Sequence, residues 1–391
     1  MHNRSYRTFA EINLDNILHN CEVIRKRIGE ECKFLSILKS DAYGHGLAVC
    51  GPVFEQCADE FAVASFEEAI ALRNANVKKP ILILGSIDYQ KLFEACENDF
   101  SITIISESYF ERVCNILSKA GKQIKCWLEL DTGLNRQGID CKQESADEVA
   151  VRLARLYDSD CLDIKGIFMH FACADSVKPD DIAFTHNQYD LLTEICDTLK
   201  DKGFEVGIRS CSSGSAFLWH PDKKLDMVRL GALSFGLGYT GTDNKMIMDM
   251  GFKPLMSWKA RIMQLRDIKA GEFIGYGRIV KAEKNMRIAI IAVGYGDGYK
   301  RSYSNKARTI VNGQYAPVIG DVFMDYSVID VTSIDDVREG DLVTLLGEDG
   351  DLSITADELG FLSGCTCGDI TCSLTGRVPK YYLRNGIEVE V

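Results

Sequence analysis

The sequence predicts an α/β protein with two domains, an N-terminal (β/α)8 TIM barrel and a second, mostly β C-terminal domain. Three observations support this prediction. The 391 residues exceed what one small core usually holds. Eight short apolar runs alternate with amphipathic segments as far as about residue 238, and beyond that point β-like runs are separated by turn signals. We place the barrel at residues 10–245 and the C-terminal domain at 246–391, together with residues 1–9.

The eight runs are predicted to be buried parallel strands because each is short and rich in β-branched or aromatic residues. They cover residues 34–38, 61–65, 81–84, 102–105, 127–130, 164–169, 206–208 and 227–230. Helical periodicity lies between them at 67–74, 89–97, 108–120, 146–157 and 182–200. A doubly wound open sheet alternates in the same way, and the count of eight strands favours the barrel. In a barrel, catalytic residues follow the strands, at the C-terminal face.

The C-terminal part carries strand patterns at 254–268, 287–293, 308–311, 314–319, 326–331 and 341–346. The pairs Asn312-Gly313 and Asn385-Gly386 are hairpin signals. Only residues 355–362 show a helical pattern, so this part is predicted to be mostly β.

Composition and charge indicate an acidic globular protein. The chain is 46% hydrophobic and 26% charged, and 45 Lys plus Arg against 57 Asp plus Glu give a net charge of −12. No basic excess can replace phosphate counterions, which excludes a nucleic-acid partner. No apolar stretch approaches the ~18 residues of a membrane span, and no signal segment opens the chain. We therefore expect a cytoplasmic protein with no membrane part in this chain.

Fifteen cysteines, an odd number, are mostly scattered singly through apolar runs. This distribution is typical of unpaired buried thiols in a reducing compartment, not of a disulfide framework. The one dense cluster is Cys365, Cys367 and Cys372. Because its spacing has no paired C-x2-C and no following histidine, we expect packing thiols there and no metal site.

The first predicted strand is followed by a lysine that opens the segment Lys39-Ser40-Asp41-Ala42-Tyr43-Gly44-His45-Gly46. A lysine at the C-terminal end of a barrel strand faces the site, where partial burial favours the neutral amine used in Schiff-base chemistry. An exposed lysine at the start of a loop is the plainer interpretation, but it leaves Tyr43 and two glycines unexplained. The position therefore favours a functional lysine.

This segment resembles the lysine signature of the alanine racemase family, whose members use pyridoxal 5′-phosphate (PLP) on a fold type III scaffold. Further segments of the same pattern follow in order at residues 131–138, 170–175, 229–231, 275–278, 294–299, 320–325 and 377–379. Each segment alone is a weak signal, and the ordered set across both parts is highly specific. The resemblance implies an amino-acid racemase that interconverts L- and D-alanine and so feeds D-amino acid to peptidoglycan synthesis.

The resemblance assigns roles to residues after the barrel strands. Lys39 would bind PLP covalently and act as one of two catalytic bases. His170 would stack on the cofactor ring, Arg136 would contact the cofactor's phenolic oxygen and the substrate carboxylate, and Arg229 would face the pyridine nitrogen. The phosphate would be held by Tyr43, Ser213, Gly231 and Ala232, with Ser212 an equally good serine.

The second base would be Tyr276, because racemisation needs a proton to leave one face of Cα and return on the other. In the family this tyrosine comes from a partner subunit, with Met324 and Tyr295 lining the same entrance. Asp325, in the segment 320–325, would be a structural or tuning residue. The resemblance thus implies a homodimer with shared active sites and a small amino acid as substrate.

Two positions depart from the family pattern. Position 129 often carries a carbamylated lysine that presents a carboxylate to the arginine at 136, and here it is Glu129. We expect Glu129 to supply that negative charge without carbon dioxide, directly or through a water or ion. The second departure is Gly368, which stands where the family has a tyrosine that packs beside the substrate and bonds the phosphate.

The missing tyrosine wall predicts that side chains larger than methyl are accepted, with serine the first candidate, unless Tyr381 or another aromatic refills the gap. Serine racemase domains of vancomycin-resistance systems belong to the same family and vary at this position. The alternatives are therefore a serine or dual alanine/serine racemase, a non-catalytic PLP-binding barrel protein, or a barrel PLP decarboxylase. The β domain with Tyr276 and Met324 disfavours the second, and Arg229 in place of an acid disfavours the third.

Overall fold

The computed structural model describes residues 7–389. Backbone packing divides the chain into two compact units. The barrel unit comprises Cys21–Ala42 and Leu47–Ser234. The C-terminal unit comprises the described residues from Phe235 onward, the segment Tyr43–Gly46, and the described residues up to Asn20. The domain limits drawn from the sequence stay a prediction.

The described chain opens with strand β1 (Thr8–Asn13) and the helix Asp15–Ile28. Eight parallel strands then form the sheet of the barrel unit: β2 (Lys33–Ile37), β3 (Glu60–Val63), β4 (Ile81–Ile83), β5 (Phe100–Ile104), β6 (Ile124–Asp131), β8 (Leu162–Phe168), β9 (Ile208–Ser210) and β10 (Met227–Leu230), with the two-residue β7 (Ile139–Asp140) beside β6. The order β10-β2-β3-β4-β5-β6-β8-β9 is nearly closed by backbone hydrogen bonds from Asp226 to Arg209 and from Arg229 to Ser212. The predicted barrel with eight strands is confirmed.

The barrel is filled by side chains that alternate along its strands, as expected for a packed core. Those at its centre are Leu35, Ala62, Leu82, Trp127, Phe168 and Met227, all at most 3% exposed. Helices cover the strands at Leu47–Phe54, Phe66–Asn74, Leu92–Glu97, Glu107–Ala120, Ala146–Tyr157, Pro179–Asp201 and Gly214–Trp219. The predicted helix 146–157 is confirmed to the residue, because Ser145 and Glu148 form a capping box at its start.

The C-terminal unit is built around a mixed sheet in the order β16-β15-β18-β11-β1-β20-β21. The strands of this unit after β1 are β11 (Met256–Ile268), β12 (Phe273–Ile274), β13 (Val280–Lys281), β14 (Met286–Ile291), β15 (Arg308–Val311), β16 (Gln314–Pro317), β17 (Ser327–Asp330), β18 (Leu342–Asp349), β19 (Leu352–Ile354), β20 (Lys380–Arg384) and β21 (Ile387–Val389). Strands β12 and β13 form a separate two-stranded sheet. The hairpins predicted at Asn312-Gly313 and Asn385-Gly386 are confirmed, since these residues join β15 to β16 and β20 to β21.

The prediction of one helical segment in the C-terminal part is wrong. Besides Ala356–Ser363, the helices Gly241–Asp249 and Cys367–Cys372 are present. Thr240 and Thr366 start these two helices with side-chain caps, which the apolar periodicity of such short segments does not reveal.

The expectation of unpaired thiols is wrong for one pair. Cys114 and Cys161 form a disulfide with Cα atoms 5.6 Å apart, although 47 residues separate them in sequence. The other thirteen cysteines carry free thiols. Within the part of the chain that is described, no helix is long and apolar enough to cross a membrane, and no group of three or more His, Cys, Asp or Glu could hold a metal ion.

Candidate active site

Lys39 begins a tight turn directly after β2 in the barrel unit. The turn Lys39–Tyr43 is left-handed, because Ser40, Asp41, Ala42 and Tyr43 all have φ between 52° and 56°. Each such residue costs about 1–2 kcal/mol, so the turn persists only because its surroundings fix it. The backbone N–H of Ser40 donates to Oε1 of Glu68 over 2.6 Å, and that of Ala42 donates to Leu38 O over 2.9 Å. Lys39 is thereby held half-buried at the C-terminal end of a barrel strand.

Arg229 lies at the end of β10 and is 3% exposed. Its guanidinium donates to Ser210 Oγ and to Met169 O, each over 2.8 Å, and stacks 4.8 Å from the Phe168 ring centre. Burial lowers the pKa of Arg229 to about 10. The group therefore stays charged at neutral pH in a fixed orientation.

His170 follows β8 and is half-buried. Burial, together with the positive charges of Arg229, Arg136 and Lys39, lowers its pKa to about 3. The imidazole is therefore neutral at any physiological pH. His170 is therefore close enough to Arg229, Arg136 and Lys39 for their charges to disfavour its protonation.

Glu129 is the buried negative charge of this group, with 2% of its surface exposed. Its Oε1 lies 3.7 Å from a guanidinium nitrogen of Arg136, and its Oε2 accepts a 2.5 Å hydrogen bond from Nε2 of Gln137. Burial raises the pKa of the Glu129 carboxyl, while Gln137, Arg136 and Arg229 oppose that rise. The side chain of Arg136 is 55% exposed, so its far side is open to a ligand.

We call Lys39, Arg136, Arg229, Glu129 and His170 the barrel cluster. Three cations stand against one carboxylate, and two of the charged groups are almost fully buried. A site with this excess of fixed positive charge favours an anionic ligand.

The candidate phosphate residues of the barrel unit follow β9 and β10. Ser212 is 1% exposed, and its Oγ has no hydrogen-bond partner within the described chain. Ser213 is the first residue before the helix Gly214–Trp219 and makes no side-chain cap. Gly231 and Ala232 lie where β10 passes into the short 3-10 helix Ala232–Phe235. A buried hydroxyl with no partner is costly unless a ligand or water satisfies it.

Tyr276 lies in the C-terminal unit, on the turn between β12 and β13. Gly275 and Gly277 flank it with φ of 78° and 64°, a conformation that favours glycine. The Tyr276 ring packs edge-on against Phe323 at 5.1 Å and is 72% exposed. It borders a cavity of about 700 Å³ whose lining also includes Tyr295, Arg301, Asp321, Met324 and Asp325.

Two backbone hydrogen bonds fix Tyr295 beside Met324. Tyr295 N donates to Phe323 O, and Gly296 N donates to Met324 O, each over 2.9 Å. The resemblance implies that Tyr276, Tyr295 and Met324 line one entrance, and in the structure these three border one cavity together with Asp325.

The buried carboxylate of Asp297 stabilises the segment that carries Tyr295. Its side chain is fully buried and accepts hydrogen bonds from Arg7 and from the backbone of Gly294. Arg377 lies 3.1 Å from Asp297 and donates to Asp325 over 2.7 Å. One buried carboxylate thus holds the turn that carries Tyr295.

Tyr43 and Gly368 are neighbours within the C-terminal unit. Gly44, with φ of 80°, packs directly on the backbone of Thr371, which brings the helix Cys367–Cys372 against the segment Tyr43–Gly46. A side chain at position 368 would start 3.7 Å from Cδ1 of Tyr43. A Cβ at position 368 would therefore be in ordinary van der Waals contact with the Tyr43 ring.

Sequence patterns did not reveal two residues that contact the charged groups of the barrel cluster. Gln137 adjoins Arg136 in the quoted motif, yet nothing in its spacing showed that it faces Glu129. Ser210 binds both Arg229 and Met227 O, a role that only the pairing of neighbouring strands creates. Asp297, Arg7 and Arg377 are separated by up to 370 residues, so their ion pairs were also invisible.

Comparison with known proteins adds independent findings. Residues 12–238 match the family model described as "Alanine racemase, N-terminal domain", and residues 255–382 match "Alanine racemase, C-terminal domain". The chain is 33% identical over 384 residues to an alanine racemase of Clostridium kluyveri, covering 98% of this chain and 96% of the relative. It is 34% identical over 380 residues to one of Clostridium tetani, covering 97% and 96%.

Comparison with solved structures points to the same family. The alanine racemase of Bacillus anthracis, crystallised with bound L-Ala-P, superposes with a TM-score of 0.87 at 28% identity, covering 98% of this chain and 96% of that one. The alanine racemase of Clostridium difficile 630 superposes with a TM-score of 0.86 at 28% identity, covering 98% and 97%. Together with the barrel and its lysine-bearing site, these findings define an enzyme of the amino-acid racemase class. The chain belongs to the alanine racemase family.

Proposed function

We propose that this racemase binds PLP at the barrel cluster and interconverts L- and D-alanine by moving one proton between the two faces of Cα. The observation that carries the proposal is the barrel cluster itself, in which the half-buried Lys39 follows a barrel strand and is accompanied by the buried, hydrogen-bonded Arg229 and the more exposed Arg136. PLP is an anion through its phosphate, and the excess positive charge of the cluster suits it.

The residues present fit this cofactor. The Ser212 Oγ is buried without a partner, and Ser213, Gly231 and Ala232 offer hydroxyl and backbone donors at the ends of β9 and β10. Lys39 would bind the cofactor covalently, His170 would stack on its ring as a neutral imidazole, and Tyr43 would add a phosphate contact. When bound, PLP supplies an electron-withdrawing ring that acidifies the Cα–H of an attached amino acid.

Proton transfer is assigned to two bases. Lys39 would take or return the proton on one face of Cα, and Tyr276 would do so on the other. Arg136 would orient the substrate carboxylate, with Glu129 holding the guanidinium from behind. Arg229 keeps its own protons at neutral pH, so it would leave the pyridine nitrogen of bound PLP unprotonated and would make the ring a weaker electron acceptor.

We further propose a homodimer in which Tyr276, Tyr295 and Met324 serve the partner's barrel. Tyr276 is 72% exposed and Met324 52%, an unusual exposure for large apolar side chains on a fixed turn. Such side chains are expected where a second surface covers them.

Serine is the second candidate substrate, because Gly368 stands where the family has a tyrosine that packs beside the substrate. A hydroxymethyl group is larger than methyl by one oxygen, a difference that pocket shape discriminates by only about 1–3 kcal/mol. We place the reaction in the cytoplasm, where its purpose would be to supply D-alanine for peptidoglycan. Thirteen of the fifteen cysteines form no disulfide, a proportion that favours a reducing compartment despite the Cys114–Cys161 bond.

The test incubates the purified holoenzyme separately with L-alanine and L-serine and resolves the enantiomers. D-alanine is the expected product, with slower formation of D-serine. D-serine alone would replace the proposed substrate, and neither product would overturn the proposed reaction.

Shared sites are tested by mixing two inactive variants, Lys39→Ala and Tyr276→Phe, under conditions that exchange subunits. A mixed dimer has one site with both lesions and one intact site, so about a quarter of the wild-type activity should return. No recovery despite demonstrated exchange would show that each site is built from one chain.

A further inference from the structure

Gln137 lies between the ends of two barrel strands and touches the charged group behind the site. Its Nε2 donates to Glu129 Oε2 over 2.5 Å and to Leu84 O over 3.1 Å. Leu84 follows β4 and Glu129 lies in β6, so this one amide spans the end of the intervening β5. None of the roles assigned above uses Gln137.

The position of Gln137 is set by a loop that turns back on its own strand. Asp131 Oδ1 accepts the backbone N–H groups of Gly133 and Asn135, each over 3.0 Å. At the other end of the loop, Gly138 N donates to Ile105 O, and a side chain at 138 would collide with the backbone of Asp131. Residues 136 and 137 are therefore returned to the side of Glu129 by backbone geometry.

The orientation of the Gln137 amide is unambiguous. Both neighbours, a backbone carbonyl and a carboxylate, are acceptors, so the NH2 group must face them. Glu129 is then left with one oxygen bound to the amide and the other directed to Arg136. A buried carboxylate without this hydrogen bond could rotate and would lose its preference for that orientation.

We propose that Gln137 is a positioning residue that clamps Glu129, so that the carboxylate holds the Arg136 guanidinium in the orientation that receives the substrate carboxylate. The inference rests on the proposed function in one respect, the contact of Arg136 with the substrate. The clamp itself needs only the contacts around Glu129.

The test uses the holoenzyme and the variant Gln137→Leu, which keeps the size of the side chain and removes both hydrogen bonds. The KM for alanine should rise about tenfold, as expected for losing a hydrogen bond to a charged group, while kcat changes less than about threefold. Binding of propionate, a carboxylate that lacks the amino group, should weaken by the same factor in calorimetry.

A double-mutant cycle separates positioning from a structural role. If Gln137 acts through Glu129, then Gln137→Leu should have no further effect in a Glu129→Gln background. The matched control is Gln123→Leu, since Gln123 also donates to a backbone carbonyl, that of Leu162, at the start of β6. This control should leave the KM and propionate binding unchanged. Gln137→Asn, one methylene too short to span the gap, serves if the leucine variant unfolds.

Unchanged KM and propionate affinity in Gln137→Leu, or additive effects in the cycle, would overturn the clamp. Wild-type protein that racemises neither alanine nor serine would overturn the proposed function instead. In that case propionate binding by wild type and Gln137→Leu still decides on the clamp.

Discussion

The two units present their functional residues in opposite ways. In the barrel unit Glu129 and Arg229 are buried, and each has a hydrogen-bond partner, Gln137 for Glu129 and Ser210 for Arg229. In the C-terminal unit the aromatic side chains of Tyr276 and Tyr295 are exposed, while the buried carboxylate of Asp297 holds the turn that carries Tyr295. Burial fixes the orientation of a charged group, and exposure suits a residue that acts on another surface.

The difference indicates where each kind of change should act. Substitution of an exposed aromatic side chain should lower the rate of racemisation without lowering the free energy of unfolding, because little packing is lost. Substitution of a residue in the buried ion pairs of Asp297 should mainly lower the free energy of unfolding.

The largest expected effect is on the exposed side, at Tyr276. Tyr276→Phe should lower racemisation by about 10²–10⁴-fold, since it removes one of two proton-transfer groups, with no change in thermal unfolding. In D2O, exchange of the Cα proton should persist for one alanine enantiomer and stop for the other, as measured by NMR. Equal loss of exchange for both enantiomers would contradict the assignment of two bases.

Beneath that surface, Asp297→Ala should act on stability. It removes a buried carboxylate from Arg7, Arg377 and the Gly294 N–H, and the free energy of unfolding should fall by about 3 kcal/mol. Denaturant titration measures this loss.

The comparison variant is Asp325→Asn. It breaks an exposed pair with Arg377, which should contribute less than about 1 kcal/mol. Equal losses in the two variants would show that burial does not distinguish these carboxylates.

A smaller effect is expected at Gly368 in the C-terminal unit. Gly368→Tyr should restore the tyrosine that the family has at this position and lower kcat/KM for serine relative to alanine by about 10–200-fold. The control is Gly376→Tyr, because a Cβ at position 376 would meet no atom within 4 Å. It should leave the ratio of kcat/KM for serine to that for alanine unchanged. If both variants shift the ratio alike, the position does not set substrate preference.

The smallest expected effect concerns His170 in the barrel unit and is a pH dependence of stability. His170 has a pKa of about 3 in the folded chain, while an unfolded histidine has one near 6.5. Below about pH 6.5 the unfolded chain therefore binds a proton at His170 that the folded chain does not bind. The contribution of neutral His170 to stability is complete above about pH 6.5 and is lost as the pH falls.

His170→Asn should remove this dependence. Between pH 6 and pH 5 the stability difference between wild type and the variant should change by about 1.2 kcal/mol. Denaturant unfolding at several pH values measures it, and a difference independent of pH would mean that His170 titrates normally when folded.

Much of the fold was predictable because it depends on local patterns. The eight apolar runs became the barrel strands, and the capping box at Ser145 fixed a helix to the residue. The helices Gly241–Asp249 and Cys367–Cys372 escaped prediction because their caps outweigh weak periodicity. The Cys114–Cys161 disulfide escaped because partners 47 residues apart leave no sign in composition.

The site divides in the same way. Its residue types and their places after strands could be predicted, since a barrel strand must end at the face where Lys39, Arg136, His170 and Arg229 follow it. What each of them touches depends on neighbours from other strands, and these cannot be deduced from spacing.

By itself, the sequence determined the alternation of strands and helices, the change to a β-rich second part, and the family to which the chain belongs. Only the tertiary structure decided that Glu129 is buried against Gln137, that Arg229 is held by Ser210, and that Asp297 joins Arg7 to Arg377. The physical reason is that periodicity and capping act between residues close in sequence, whereas burial and ion pairing depend on which distant residues the fold brings together.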